Sequence, residues 1–168
     1  MVETKIKTIY LADTNTLIGF SLWKPISLKF NESFWSELSN ALARGDWVLL
    51  DVVVNEILYD GDLANWCKEQ KSKGLVTEID SDIRERGIEI NNIYPMIDPV
   101  SFKSEADTYL IAFAEANQLG IFSRENGKTN KDIDGNDLYK IPNVCGFLSP
   151  KIINTNKPKV FLKSIGFN

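Results

Sequence analysis

The stretch that most limits the fold is TIYLADTNT, Thr8 to Thr16. Apolar residues fill nearly every position up to Ala12, as in a parallel strand covered on both faces. Polar residues follow at once, so the strand ends where Asp13, Thr14 and Thr16 begin. A strand with no wet face needs helical layers above and below it, and the rest of the chain supplies them.

From Ser33 to Arg44, a stripe of Phe34, Leu38, Ala41 and Leu42 predicts a helix that opens on a capping Ser33 and stops at Gly45. WVLLDVVVNEILYD, starting at Trp47, reads as a second buried strand that turns helical near Val54 or Asn55. Asp60 to Lys73 predicts a helix with Leu63, Trp66 and Cys67 inward and Gly74 as terminator. The segment from Ile79 is helical until Tyr94, because Pro95 disfavours the helical conformation in the residue before it. Ser104 to Leu119 is the clearest helix, with Ala106, Leu110, Phe113 and Ala114 spaced for burial and Gly120 at its end. GIFS, Gly120 to Ser123, is a short buried strand, and after a polar loop LYKIPNVCGFL adds one more strand, limited by Pro142. This alternation predicts an α/β fold, a three-layer α/β/α sandwich with a mainly parallel central sheet. Residues 1–168 read as a single domain in which 150–168 form a basic C-terminal extension, with Lys151, Lys157, Lys159 and Lys163 and no acid.

Composition narrows the chemistry. The 43% apolar and 25% charged content is that of a soluble globular protein, and 168 residues can bury about two thirds of the unfolded chain's surface. No apolar run approaches the roughly 20 residues that span a bilayer, and MVETKIK lacks the hydrophobic segment of a secretory signal, so no membrane role and a cytoplasmic location are expected. Cys67 and Cys145 are far apart and read as buried thiols. The chain contains no histidine, which removes imidazole triads and His-ligated zinc and leaves the chemistry to carboxylates. A net charge of −4 argues against capturing nucleic acid by bulk attraction, yet divalent cations held by several acids would reverse the sign locally.

In open parallel sheets, ligands settle beyond the carboxyl ends of the strands, so acids placed there converge from distant parts of the sequence. Asp13 follows the first strand, Glu56 the second, Asp107 opens the long helix leading to another strand, and Glu125 follows GIFS. Each has a structural alternative. Asp13 can form an Asx turn or cap the helix beginning at TLIGF, Glu56 can be a solvated helix residue, SEAD matches a capping box between Ser104 and Asp107, and Glu125 can be loop surface charge. Gathered in one cleft, four like charges would take up protons unless a cation compensated them. Mg2+ or Mn2+ favours oxygen ligands, and such ions can activate water and stabilise the departing oxyanion of a phosphodiester without histidine. Thr14, Asn15, Thr16 and Ser123 are the small hydrogen-bonders positioned to orient these acids. Asp60, Asp62, Glu105 and the acids of the 132–137 loop read as solvated surface.

The order YLADTNTLI, VVVNEI, EADTYLIAFA, GIFSREN, with KIPNVC near the end, resembles the PIN-domain ribonucleases, in particular the VapC-like toxin subunits of bacterial toxin–antitoxin pairs and their uncharacterised relatives. The likeness runs from about Lys7 to Cys145 and implies a PIN-like sandwich and an endoribonuclease dependent on Mg2+ or Mn2+. It puts metal-binding, catalytic acids at Asp13, Glu56, Asp107 and Glu125, with Ser123 matching a small hydroxyl residue and Thr16 a polar helper. Glu125 stands where the family more often has Asp, and Leu75 to Pro99 and the basic tail match none of its motifs. The resemblance also implies an RNA substrate, an antitoxin protein and frequent homodimers. Trp23, Phe30 and Trp35 could form an aromatic surface for the antitoxin, with core packing the alternative use for at least some of them. Two other readings stand beside it. One is a catalytically inactive PIN-like binding module whose acids only cap and solvate helices. The other is a small-molecule α/β phosphohydrolase using Asp13 as nucleophile, although the second Asp that such enzymes often carry two residues on is here Asn15.

Overall fold

The structure is a computed structural model and describes residues 6–57 and 61–167. Its first strand, β1 (Tyr10–Ala12), lies at the centre of a five-stranded sheet. On one side it pairs with β2 (Trp47–Leu50), which pairs with β3 (Val76–Thr77); on the other it pairs with β4 (Gly120–Phe122), which pairs with β7 (Asn154–Thr155). All four pairings are parallel, with Tyr10 opposite both Trp47 and Gly120. The chain therefore builds outward from β1 to β3, returns, and builds outward again through β4. The reversal lies between β1 and β4, which is where an open α/β sheet leaves a crevice at its carboxyl edge.

The helices are α1 (Thr14–Leu22), α2 (Glu32–Ala43), α3 (Asp51–Glu56), α4 (Gly61–Ser72), α5 (Ser81–Ile93), α6 (Glu105–Asn117), α7 (Ile141–Phe147) and α8 (Pro158–Ser164). Flanking the parallel sheet, they make the expected α/β/α sandwich. A small antiparallel pair, β5 (Asn130–Lys131) with β6 (Asp137–Leu138), decorates the loop after β4. Its turn is held by the Asp132 carboxylate, which accepts from the backbone N–H groups of Asp134 and Asn136 at 2.9 and 2.8 Å.

Several boundaries differ from the sequence reading. Asn31, not Ser33, caps α2, its side chain accepting from Phe34 N at 3.1 Å. α3 starts at Asp51, directly after β2, three or four residues earlier than the apolar run VVV suggested. Asp60, expected to open α4, lies outside the described residues. The turn ending α6 is taken by Gln118, with φ 56°, in place of Gly120, which instead begins β4. A side chain at Gly120 would meet the Tyr10 ring at 2.7 Å, so close strand approach accounts for this glycine. Pro142 does not limit a strand. It sits in the first turn of α7, where a missing N–H and a fixed φ suit helix initiation.

The 150–168 segment is woven into the domain. It supplies β7 and α8, and Phe161 of α8 is fully buried, with its ring stacked 4.7 Å from that of Phe122 and edge-on to Trp47 at 5.8 Å. Phe20 and Trp66 extend this aromatic core. Trp35 takes the core-packing alternative, set against Trp66 at 5.1 Å, whereas Trp23 and Phe30 are exposed. Cys67 and Cys145 are buried, and burial pushes the Cys145 thiol up to about 12. Among the described residues, no helix is long and apolar enough to cross a membrane.

Candidate functional site

Asp13 stands one residue beyond β1 and continues its ladder, donating its N–H to Phe122 O at 3.0 Å. Its backbone starts α1, the carbonyl accepting from Thr16 N at 3.1 Å and from Thr16 Oγ1 at 2.6 Å. The carboxylate makes no capping hydrogen bond, so capping is done by the main chain and leaves the side chain available. That side chain is buried, Asp13 being only 2% exposed, and Oδ2 accepts from Ser123 Oγ at 3.2 Å at the end of β4. Ser123 in turn accepts from the backbone N–H of Glu125 at 3.2 Å. One hydroxyl thus ties together the ends of the two strands that flank the crevice.

Asp107 lies in the first turn of α6, a helix that precedes β4 and so begins at the carboxyl side of the sheet. The capping box expected from SEAD does not form. Ser104 adopts a left-handed conformation, φ 71°, instead of the extended one a capping serine uses, and its side chain makes no cap bond. The Ser104 hydroxyl instead pulls the Asp107 carboxyl down, against burial. Glu56 ends α3 at the rim, where Oε2 accepts from Thr14 Oγ1 at 2.9 Å. Glu125 is half-buried and anchored, Oε2 accepting from the N–H of Ile141 at the start of α7 at 3.0 Å. Its extra methylene, relative to Asp, spans this distance.

Electrostatics link the four acids. Burial, then the charge of Glu125, drives the Asp13 carboxyl up to about 7; the Ser123 hydroxyl and the Thr14 N–H pull it down, and Glu56 pushes it up further. Burial pushes Asp107 well above the ordinary carboxylate range, and the charges of Asp13, Glu125 and Glu56 add to it in that order. Glu56 is also raised, by burial first and then by Glu105, against the Thr14 hydroxyl. Among the described residues, none of the four takes part in an ion pair.

The predicted helpers divide. Ser123 and Thr14 each hold a carboxylate, but Thr16 binds the Asp13 carbonyl rather than its side chain, and Asn15 is exposed beside Arg124 and Glu125. Glu105, set aside in the sequence as surface, adds its charge to the rim and accepts from Tyr109 OH at 3.0 Å. Its position two residues before Asp107 on the same helix was the available signal. Asp51 shows the converse: it follows β2 directly, yet its Oδ1 accepts from Val52 N and Ile79 N, clipping the end of β3.

Acid-only oxygen donors with depressed acidity fit a hard divalent cation, which would displace the protons that burial retains. The fit is of donor type, not of a finished cage. Among the described residues, no three acidic, histidine or cysteine side chains are arranged, as placed, to hold an ion. One oxygen of Glu56 and one of Glu125 are engaged by Thr14 and Ile141.

The fold and this crevice define an α/β protein with an acidic site at the switch point of its sheet. Residues 10–162 match the model of the family described as a domain of unknown function (DUF4411), and the chain belongs to that family. Comparison with curated proteins and with solved structures brought no match.

Proposed function

We propose that the chain is an endoribonuclease dependent on Mg2+ or Mn2+, acting in the manner of the PIN-domain toxins that its motifs resemble. The observation that carries this reading is the burial of Asp13 and Asp107, like-charged and without an ion-pair partner among the described residues, at the reversal of strand order. Two buried acids that repel each other cost stability unless a cation is their purpose.

Asp13 and Asp107 would hold the ion, with Glu56 and Glu125 contributing from either side. The bound ion supplies an activated water and charge for the departing oxygen of a phosphodiester. Ser123 fixes the rotamer of Asp13, Thr14 that of Glu56, and the Ile141 N–H that of Glu125, so the donor oxygens are oriented before a substrate arrives. Glu56, the most exposed of the four acids, exchanges protons with solvent. A phosphohydrolase using Asp13 as nucleophile fits less well, because that carboxylate is buried against Ser123.

Purified protein should cleave labelled single-stranded or looped RNA with added Mn2+ or Mg2+, stop in EDTA, and lose cleavage in Asp13→Asn and Asp107→Asn. Undiminished cleavage by Asp13→Asn would overturn the assignment, and an absence of both cleavage and metal binding would favour a binding module. The same reading gives the protein an antitoxin partner and a homodimeric state in the cytoplasm. Co-expression with its operon neighbour and light scattering test these.

A further inference from the structure

A pocket of about 620 Å3 opens between α1 and α8. Its walls are apolar, with Phe20, Trp23, Phe122 and Leu162, and its mouth carries Arg124, Lys157 and Lys159. Thr16, which hydrogen-bonds the Asp13 carbonyl, lines it as well. We propose that this pocket receives one base of the RNA strand, while Arg124, Lys157 and Lys159 hold the adjoining phosphates; the assignment of RNA rests on the nuclease reading above.

Charge complementarity selects the occupant. The protein carries a net charge of −4, yet three cations converge on one apolar pocket, and among the described residues none of them is in an ion pair. An apolar peptide side chain would use the walls and waste the rim, whereas a nucleotide uses both, since every base has a flat face for an aromatic ring and a phosphate for a cation. Trp23 is 58% exposed, an aromatic ring left in water at the pocket wall. A second groove, lined by Asn15, Arg124, Lys140 and Glu125, adjoins the first at Arg124 and Gly19, so a strand seated in the pocket has a route to Glu125.

Arg124 is seated deliberately. Its side chain crosses α1 at Gly19, where an added Cβ would overlap the guanidinium and lie 3.2 Å from Cδ and Cζ. All the atoms that a Cβ at Gly19 would meet belong to the Arg124 side chain, so an alanine there would make the guanidinium shift from its place at the pocket mouth.

The test is a fluorescence titration of the full chain in EDTA with a single-stranded RNA decamer. Trp35, Trp47 and Trp66 are buried, so quenching by a stacked base reports Trp23. The expected result is saturable quenching that disappears in Trp23→Phe and is not reproduced by an abasic decamer of equal charge. Affinity should fall about tenfold in the Lys157→Gln/Lys159→Gln double variant and severalfold in Gly19→Ala, the size expected for lost stacking and phosphate contacts. Equal quenching by the abasic strand, or affinity indifferent to the double variant, overturns the proposal. So does quenching by a protein partner but not by RNA, which would make the pocket a protein-docking site. Binding in EDTA requires no cleavage, so failure of the pocket leaves the metal reading intact, and failure of the metal reading leaves a positive titration standing.

Discussion

Phe122 and Ser123 are adjacent in the chain and belong to opposite kinds of buried environment. Phe122 stacks on Phe161 within an aromatic core whose interactions all favour the folded state. Ser123 faces Asp13 in a pocket where burial and like charge oppose folding. The same strand thus spends its last apolar residue on stability and its next residue on a site that weakens it. The proposed site lies where the fold tolerates a local cost because the neighbouring core offsets it.

The largest effect should fall on the core. Phe161→Ala removes a fully buried ring that bridges α8 to the sheet and should lower stability by about 3–5 kcal/mol in urea unfolding. A loss below about 1 kcal/mol would mean that the last helix is dispensable and that the two regions are not balanced in this way.

The acid crevice should respond to pH in the opposite sense from an ion-paired carboxylate. Asp13 retains its proton up to about 7 in the folded protein but releases it near 3.8 when unfolded. Between those values the folded state binds the extra proton, so metal-free stability falls as pH rises through this window and levels off above it. Asp13→Asn should flatten the decline and raise stability at pH 8 in EDTA by on the order of 2 kcal/mol, seen as a higher Tm. A Tm that rises from pH 5 to pH 8 in the wild type would contradict this picture.

Ser123→Ala tests the link between the regions. It deprives Asp13 Oδ2 of a donor and Glu125 N–H of an acceptor, which should cost about 1 kcal/mol and move the pH midpoint for Mn2+ binding upward. The smallest effect is expected from Thr14→Val, which removes a buried hydroxyl that donates to the exposed Glu56: stability should change by less than about 1 kcal/mol, while Glu56 becomes a weaker acid, readable by NMR titration.

Much of this was legible before coordinates. Buried strands announce themselves by unbroken apolar runs, and a parallel sheet brings their ends together, so Asp13, Glu56, Asp107 and Glu125 could be named from order alone. What the sequence hid were choices made by tertiary contact. Pro142 reads as a strand limiter, whereas it sits in the first turn of α7, whose leading N–H, that of Ile141, donates to Glu125 Oε2. Val52 to Val54 favour a strand locally, yet α3 begins at Asp51, whose carboxylate is occupied by two backbone N–H groups. Phe161 looked like part of a basic tail because lysines surround it; its burial depends on a sheet position left open beside β4.

The most direct test of the acid crevice is calorimetric titration of the metal-free protein with MnCl2 at pH 7 in two buffers of different ionisation enthalpy. Saturable binding with net proton release is expected, because Asp13 must give up a proton held to about 7 and Asp107 is raised as well, and the release should be smaller in Asp13→Asn. Absence of binding, or binding that Asp13→Asn leaves unchanged, would contradict it.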